Sequence, residues 1–174
     1  EIRDDETAKL AAGAANTGHI VLATLHTNDA LSVVPRLISL SLTPQDVQAV
    51  LTLVVAQRLV PTLCPRCKAT SPITDAAREL FGRFKDAYGL ATPEHLADAA
   101  GCHHCHNTGI TGRTPIFQFF DVNDELRRMI GTQADMTQMR EANARYNPNL
   151  LVDALVKVGE QMTPFSAALA YEQL

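Results

Sequence analysis

The chain has 174 residues, 46% of them hydrophobic, and a formal net charge of −4. That size suits one domain or one and a half, burying roughly 70% of the unfolded surface, and the apolar share excludes a disordered chain. No basic block points to direct nucleic-acid binding or to a polybasic membrane patch. No apolar run approaches the ~20 residues that span a bilayer.

Residues 1–3 read as the end of a buried strand. Asp4, Asp5 and Glu6 then crowd the start of an Ala-rich helix, where acids suit the positive end of the dipole. Asn16-Thr17-Gly18 is its stop signal. The continuous apolar run Ile20 to Leu25 predicts a strand covered on both faces. A second helix is expected after Thr27 or Asn28, with Val33, Val34, Leu37, Ile38 and Leu40 inward and a kink at Pro35. Thr43-Pro44 opens a third helix, expected to run through Val47, Val50, Leu51, Val54 and Val55. Strand, helix, strand, helix in this order argues for a parallel sheet with flanking helices.

Beyond Cys67 the pattern changes. Residues 74–88 predict an amphipathic helix, with Ala77, Leu80, Phe81, Phe84 and Tyr88 on one side. Residues 93–100 read as a short acidic helix, and Gly109 to Gly112 as a turn. Ile116 to Phe120 reads as a strand. Three or four helices fill the remainder from Asp124, with Thr163-Pro164 capping the last.

The four cysteines fall in two tight pairs, Cys64-Pro65-Arg66-Cys67 and Cys102-His103-His104-Cys105. Paired C-x-x-C knuckles are metal spacing in a reducing compartment rather than a secreted disulfide framework. Four thiolates around Zn²⁺ make a closed, structural site, with no position left open for water. The net charge of such a site is −2, which Arg66, Lys68 and Arg113 could offset. The alternatives are reduced thiols without metal, a redox pair, or exchange of a sulfur for His103, His104 or His106. The knuckles are separated by 34 residues, so the intervening segment must fold out as an insert.

Two further stretches carry a resemblance. Glu1-Ile2-Arg3-Asp4-Asp5-Glu6-Thr7 is similar to the end of the Walker B region of the type II secretion and type IV pilus assembly ATPases. Thr17-Gly18-His19-Ile20-Val21-Leu22-Ala23-Thr24-Leu25-His26-Thr27-Asn28-Asp29-Ala30 resembles their histidine box. Ala56 to Val60 with Leu63 to Lys68, and Gly101 to Arg113, look like their link to a tetracysteine domain and its second knuckle. Pro61, Pro115, Gln118 and Gln161 depart from the common pattern, the last standing where glycine is usual. A divergent pilus, secretion or conjugation system fits these departures.

The resemblance implies the C-terminal part of a RecA-like P-loop NTPase core at residues 1–62. A zinc-binding subdomain follows at 63–122 and a helical subdomain at 123–174. It implies that Glu1, His19 and His26 are catalytic, that Arg3, Asp4 and Glu6 serve nucleotide binding, and that Cys64, Cys67, Cys102 and Cys105 hold zinc. No G-x-x-x-x-G-K-[ST] stretch occurs, so the phosphate-binding half is expected upstream and the isolated piece is expected to be inactive. ATP and Mg²⁺ would serve the full-length enzyme. That enzyme would be a cytoplasmic homo-hexamer, peripheral to the bacterial inner membrane and partnered by its platform proteins. A zinc-bearing interaction module with no nucleotide role is the rival reading.

Overall fold

The structure, a computed structural model, describes residues 1–172. Helix α1 (Asp5–Asn16) starts where Asp4 accepts a hydrogen bond from the Thr7 amide at 2.8 Å. This satisfies one of the orphan N–H groups of the first turn. Ala8 and Ala12 form its buried face.

Helix α2 (Val33–Ser39) begins later than Thr27 or Asn28 would place it. Pro35 therefore sits in the first turn, where its missing N–H costs nothing, and no kink is required. Helix α3 (Pro44–Val50) opens on a reciprocal capping box between Thr43 and Asp46. It stops at Val50, short of the expected Val55. Leu53 to Leu63 instead form strand β1, whose exposure alternates along most of its length as a half-buried strand's should.

Strand β2 (Ala69–Pro72) pairs antiparallel with β3 (His95–Asp98), with Ala69 opposite Asp98 and Pro72 opposite His95. Residues 93–100 are thus not a helix. Leu96 and Ala97 are buried while His95 and Asp98 are exposed. Between β2 and β3 lies α4 (Asp75–Tyr88), capped by Thr74 and ended by Gly89 in the left-handed region. Strand β4 (Ile110–Asp121) pairs with β1 and absorbs Ile110 to Gly112, expected as a turn. Among the described residues four helices follow, within the three or four expected: α5 (Asp124–Gly131), α6 (Met136–Ala144), α7 (Leu150–Gly159) and α8 (Phe165–Leu169).

The described residues form two two-stranded sheets. The run Ile20 to Leu25 joins neither, and Ile20 and Leu22 are 92% and 93% exposed rather than covered. A single backbone bond, Ile2 N–H to Thr24 O at 2.9 Å, links it to residues 1–3. One bond is not a ladder, and of that run Leu25 packs against the core while Ile20 and Leu22 stay open.

Two compact units are interleaved along the chain, one from residues 1–56 and 119–147, the other from 57–118 and 148–174. The first packs Ile2, Leu31, Val34, Leu37, Val47 and Phe120 among its core residues. The second packs Val60, Leu80, Phe81, Ile116, Leu155 and Val158. Each of β1 and β4 runs through both units.

Candidate functional sites

In the second unit, the first knuckle is a turn in which the Cys67 and Lys68 amides donate to Cys64 O at 3.3 and 3.0 Å. The second knuckle is a 3₁₀ turn, His103–Cys105, followed by His106 and Asn107 at positive φ. Two glycines permit this path. At Gly109 (φ +73°) an added Cβ would lie 2.5 Å from Ala99 Cβ, and at Gly101 (φ +103°) 2.8 Å from Asn107 O. The Cys64 amide donates to Gly109 O at 2.8 Å, tying one knuckle to the other.

All four sulfurs lie within 4.8 Å of one another. Cys64–Cys102 is 4.0 Å, Cys67–Cys105 3.7 Å and Cys102–Cys105 3.8 Å. A tetrahedral ion with sulfur bonds of about 2.3 Å requires sulfur–sulfur edges of about 3.8 Å. A disulfide needs about 2.05 Å. The cluster thus has the dimensions of a metal cage, and none of its four sulfurs is joined in a disulfide.

The electrostatics agree. Burial alone would raise the Cys105 thiol, but amides of Cys102 and Gly109, each 3.2 Å from its sulfur, hold it down at about 6. Burial pushes Cys67 up to about 12, and the neighbouring sulfurs add to that. Four thiolates packed this closely repel one another, and a divalent ion would supply the compensating charge. His103, His104 and His106 are exposed and lie outside the cluster.

The second site lies in the first unit. Glu1 is gripped by Arg3 through two contacts of 2.6 Å, one to each carboxylate oxygen. His26 Nε2 lies 2.8 Å from Glu1 Oε1. The Arg3 hydrogen bond is the largest of several effects that lower the Glu1 pKa to about 2. Such a carboxylate accepts hydrogen bonds well and removes protons poorly.

His19 is not brought to this cluster. Its Nδ1 contacts Thr17 Oγ1 at 3.1 Å and Ala14 O at 3.3 Å, at the end of α1. Asp4 is occupied as the α1 cap, and Glu6 is exposed in the first turn of that helix.

The loop after His26 holds a residue to which sequence reading gave no role. Asp29 is 4% exposed. Its Oδ1 accepts from the Ser32 amide at 2.7 Å, and its Oδ2 lies 2.7 Å from Arg140 on α6. The helix cap expected of Thr27 or Asn28 is not formed by them, since α2 starts after Ser32; Asp29 instead fixes the turn before it. The signal was present as an Asx residue three before Ser32; the partnership with Arg140, 111 positions away, was not.

The family described as "Type II/IV secretion system protein" matches residues 1–170. The chain belongs to this family. It is 38% identical over 170 residues to the type IV pilus assembly ATPase TfpB of Acinetobacter baylyi, covering 97% of this chain and 28% of that protein. It is 36% identical over 169 residues to type II secretion system protein E of Pseudomonas aeruginosa, covering 97% and 33%. With type II secretion system ATPase E of Vibrio cholerae it shares 39% over 163 residues, 94% and 31%. The chain spans about a third or less of the length of these family members.

Among solved structures, the pilus retraction motor PilT with bound ADP superposes with a TM-score of 0.65 at 17% identity. The match covers 99% of this chain and 38% of that one. The ATPase DotB of Legionella pneumophila gives 0.61 at 18%, covering 98% and 36%. The fold class is therefore α/β as expected, shared with these two structures, and it carries a tetracysteine cluster.

Proposed function

We propose that this chain is the C-terminal part of a hexameric motor ATPase that couples ATP hydrolysis to pilus or pseudopilus assembly and protein export. The observation that carries the reading is the 2.8 Å contact between Glu1 and His26 in a chain of this family. In the whole enzyme Glu1 orients the attacking water as an acceptor, a role that fits a strongly acidic carboxylate better than proton removal does. His26 and Arg3 hold that carboxylate, and His26 reports nucleotide state across the subunit boundary. His19 serves the same box from its other end. Arg3, Asp4 and Glu6 line the nucleotide side, with ATP and Mg²⁺ completed by residues outside this chain.

Residues 1–62 act as the motor part, 63–122 as the metal part and 123–174 as the helical part. Cys64, Cys67, Cys102 and Cys105 would hold Zn²⁺, which when bound supplies a structural cross-link and no reaction step. The assembly is cytoplasmic and peripheral to the inner membrane, with platform proteins as partners. No helix among the described residues is long and apolar enough to cross a membrane. The isolated chain does not turn over ATP.

The test is Glu1→Gln in the whole protein. Turnover should collapse while ATP binding persists, because an orienting acceptor acts in the transition state. Unchanged turnover would assign the water to another carboxylate.

A further inference from the structure

We propose that Arg140 is a positioning residue. Through buried Asp29 it holds the 26–32 loop, and with it the His26–Glu1 contact, in place. The proposal rests on the reading of Glu1 given above and adds a control point on α6.

Asp29 is a buried carboxylate whose two oxygens are used differently. Oδ1 fixes the local turn through the Ser32 amide, and Oδ2 meets Arg140. Thr27 Oγ1 donates to the Asp29 carbonyl at 3.0 Å, so the residue next to His26 is tied to the same clasp. On the other side of His26, Thr24 O accepts from the Ile2 amide. The loop carrying His26 is therefore pinned at both ends, once to the Glu1 segment and once to α6. Met139, next to Arg140, is buried in the same core as Leu31, Val33 and Val34. A shift of α6 is thus transmitted to the loop by a charged contact and by packing.

A buried carboxylate that loses its cation is strongly disfavoured.

The experiment uses the whole protein with Arg140→Gln, Arg140→Lys and the double variant Asp29→Asn/Arg140→Gln. The double variant removes the clasp without stranding a charge, so it separates loss of positioning from loss of folding. Two measurements are made: ATP turnover, split into kcat and KM, and amide hydrogen exchange at Ser32 and Ile2.

In Arg140→Gln both amides should exchange faster and kcat should fall by roughly tenfold to a hundredfold, the size of effect that misplacement of a catalytic group produces. KM should stay within about twofold, since ground-state binding is not what the clasp supplies. Arg140→Lys should recover part of kcat, and the double variant should be folded yet slow. Unchanged exchange at Ser32 and Ile2 overturns the proposal. So does faster exchange with wild-type kcat when Glu1→Gln, run beside it, abolishes turnover. If Glu1→Gln itself leaves turnover intact, the hydrolytic reading fails separately, and the clasp stands or falls on the two amides alone.

Discussion

His26 Nε2 and Glu1 Oε1 lie 2.8 Å apart, although 24 residues separate them in the chain. A short helix and one backbone bond between Ile2 and Thr24 are enough to bring them together. This contact distinguishes two histidines that the sequence could only treat as a pair.

His26→Ala in the whole protein should therefore lower turnover more than His19→Ala. His19 is engaged with Thr17 and Ala14, away from Glu1. Zinc content should be unchanged in both variants, since the metal cluster consists of cysteines. Equal losses in the two variants, or loss of metal in either, would contradict this division.

Glu1→Gln should reduce kcat by about a hundredfold or more, the order of loss that misplacing an attacking group brings. Steady-state turnover beside equilibrium ATP binding measures it.

The pH profile follows from the depressed Glu1 pKa. A carboxylate lowered from 4.5 to about 2 contributes to stability above its unfolded value and loses that contribution as pH falls through about 2. Any acid limb in kcat seen above pH ~4 should accordingly not belong to Glu1. It should persist, at lower amplitude, in the Glu1→Gln variant.

About one zinc per chain should survive purification without added metal, by elemental analysis. Cys67→Ser should lower the melting temperature of the unit containing 57–118 by more than about 5 °C. Proteolysis should find that unit before residues 1–56. Four titratable thiols with no metal would sink this expectation.

Gln161 offers a stability test. It sits at φ +56° just past α7, with its amide bonded to Val158 O and the Met162 amide bonded to Lys157 O. That is a left-handed helix end of the kind that favours glycine. Gln161→Gly should stabilise the chain by about 0.5–1 kcal/mol in denaturant unfolding, the relief of strain exceeding glycine's added unfolded-state freedom. The Lys68 contact to the Gln161 carbonyl should survive, because it uses backbone.

Helices with strong local signals were legible in the sequence. Asp4, Thr43-Pro44 and Thr74 each marked a true helix start, and the Ala77–Leu80–Phe81 face is buried as its spacing predicts. The cysteine cage was legible because each knuckle is a short local turn. Misreadings came where short apolar runs carry no decisive period. Val54 and Val55 fit a helical continuation as well as a strand, and pairing with β4 decided for β1. His95 to Asp98 looked helical by composition, and β2 overrode it. The Asp29–Arg140 contact was illegible because nothing local encodes a partner so distant in the chain.

The interleaving of the two compact units sets an order of events during synthesis. Residues 1–56 emerge before 57–118, and their partners at 119–147 follow only after that whole segment. At about 5–20 residues per second that wait lasts several seconds. Cys64 and Cys67 are likewise translated before Cys102 and Cys105. Their cage can nevertheless close before α7 or α8 exists. The β2–β3 pair is complete in sequence by Asp98, so closure of the cage, which waits for Cys105, follows it and leaves the Cys64 and Cys67 thiols without their partners in the interval.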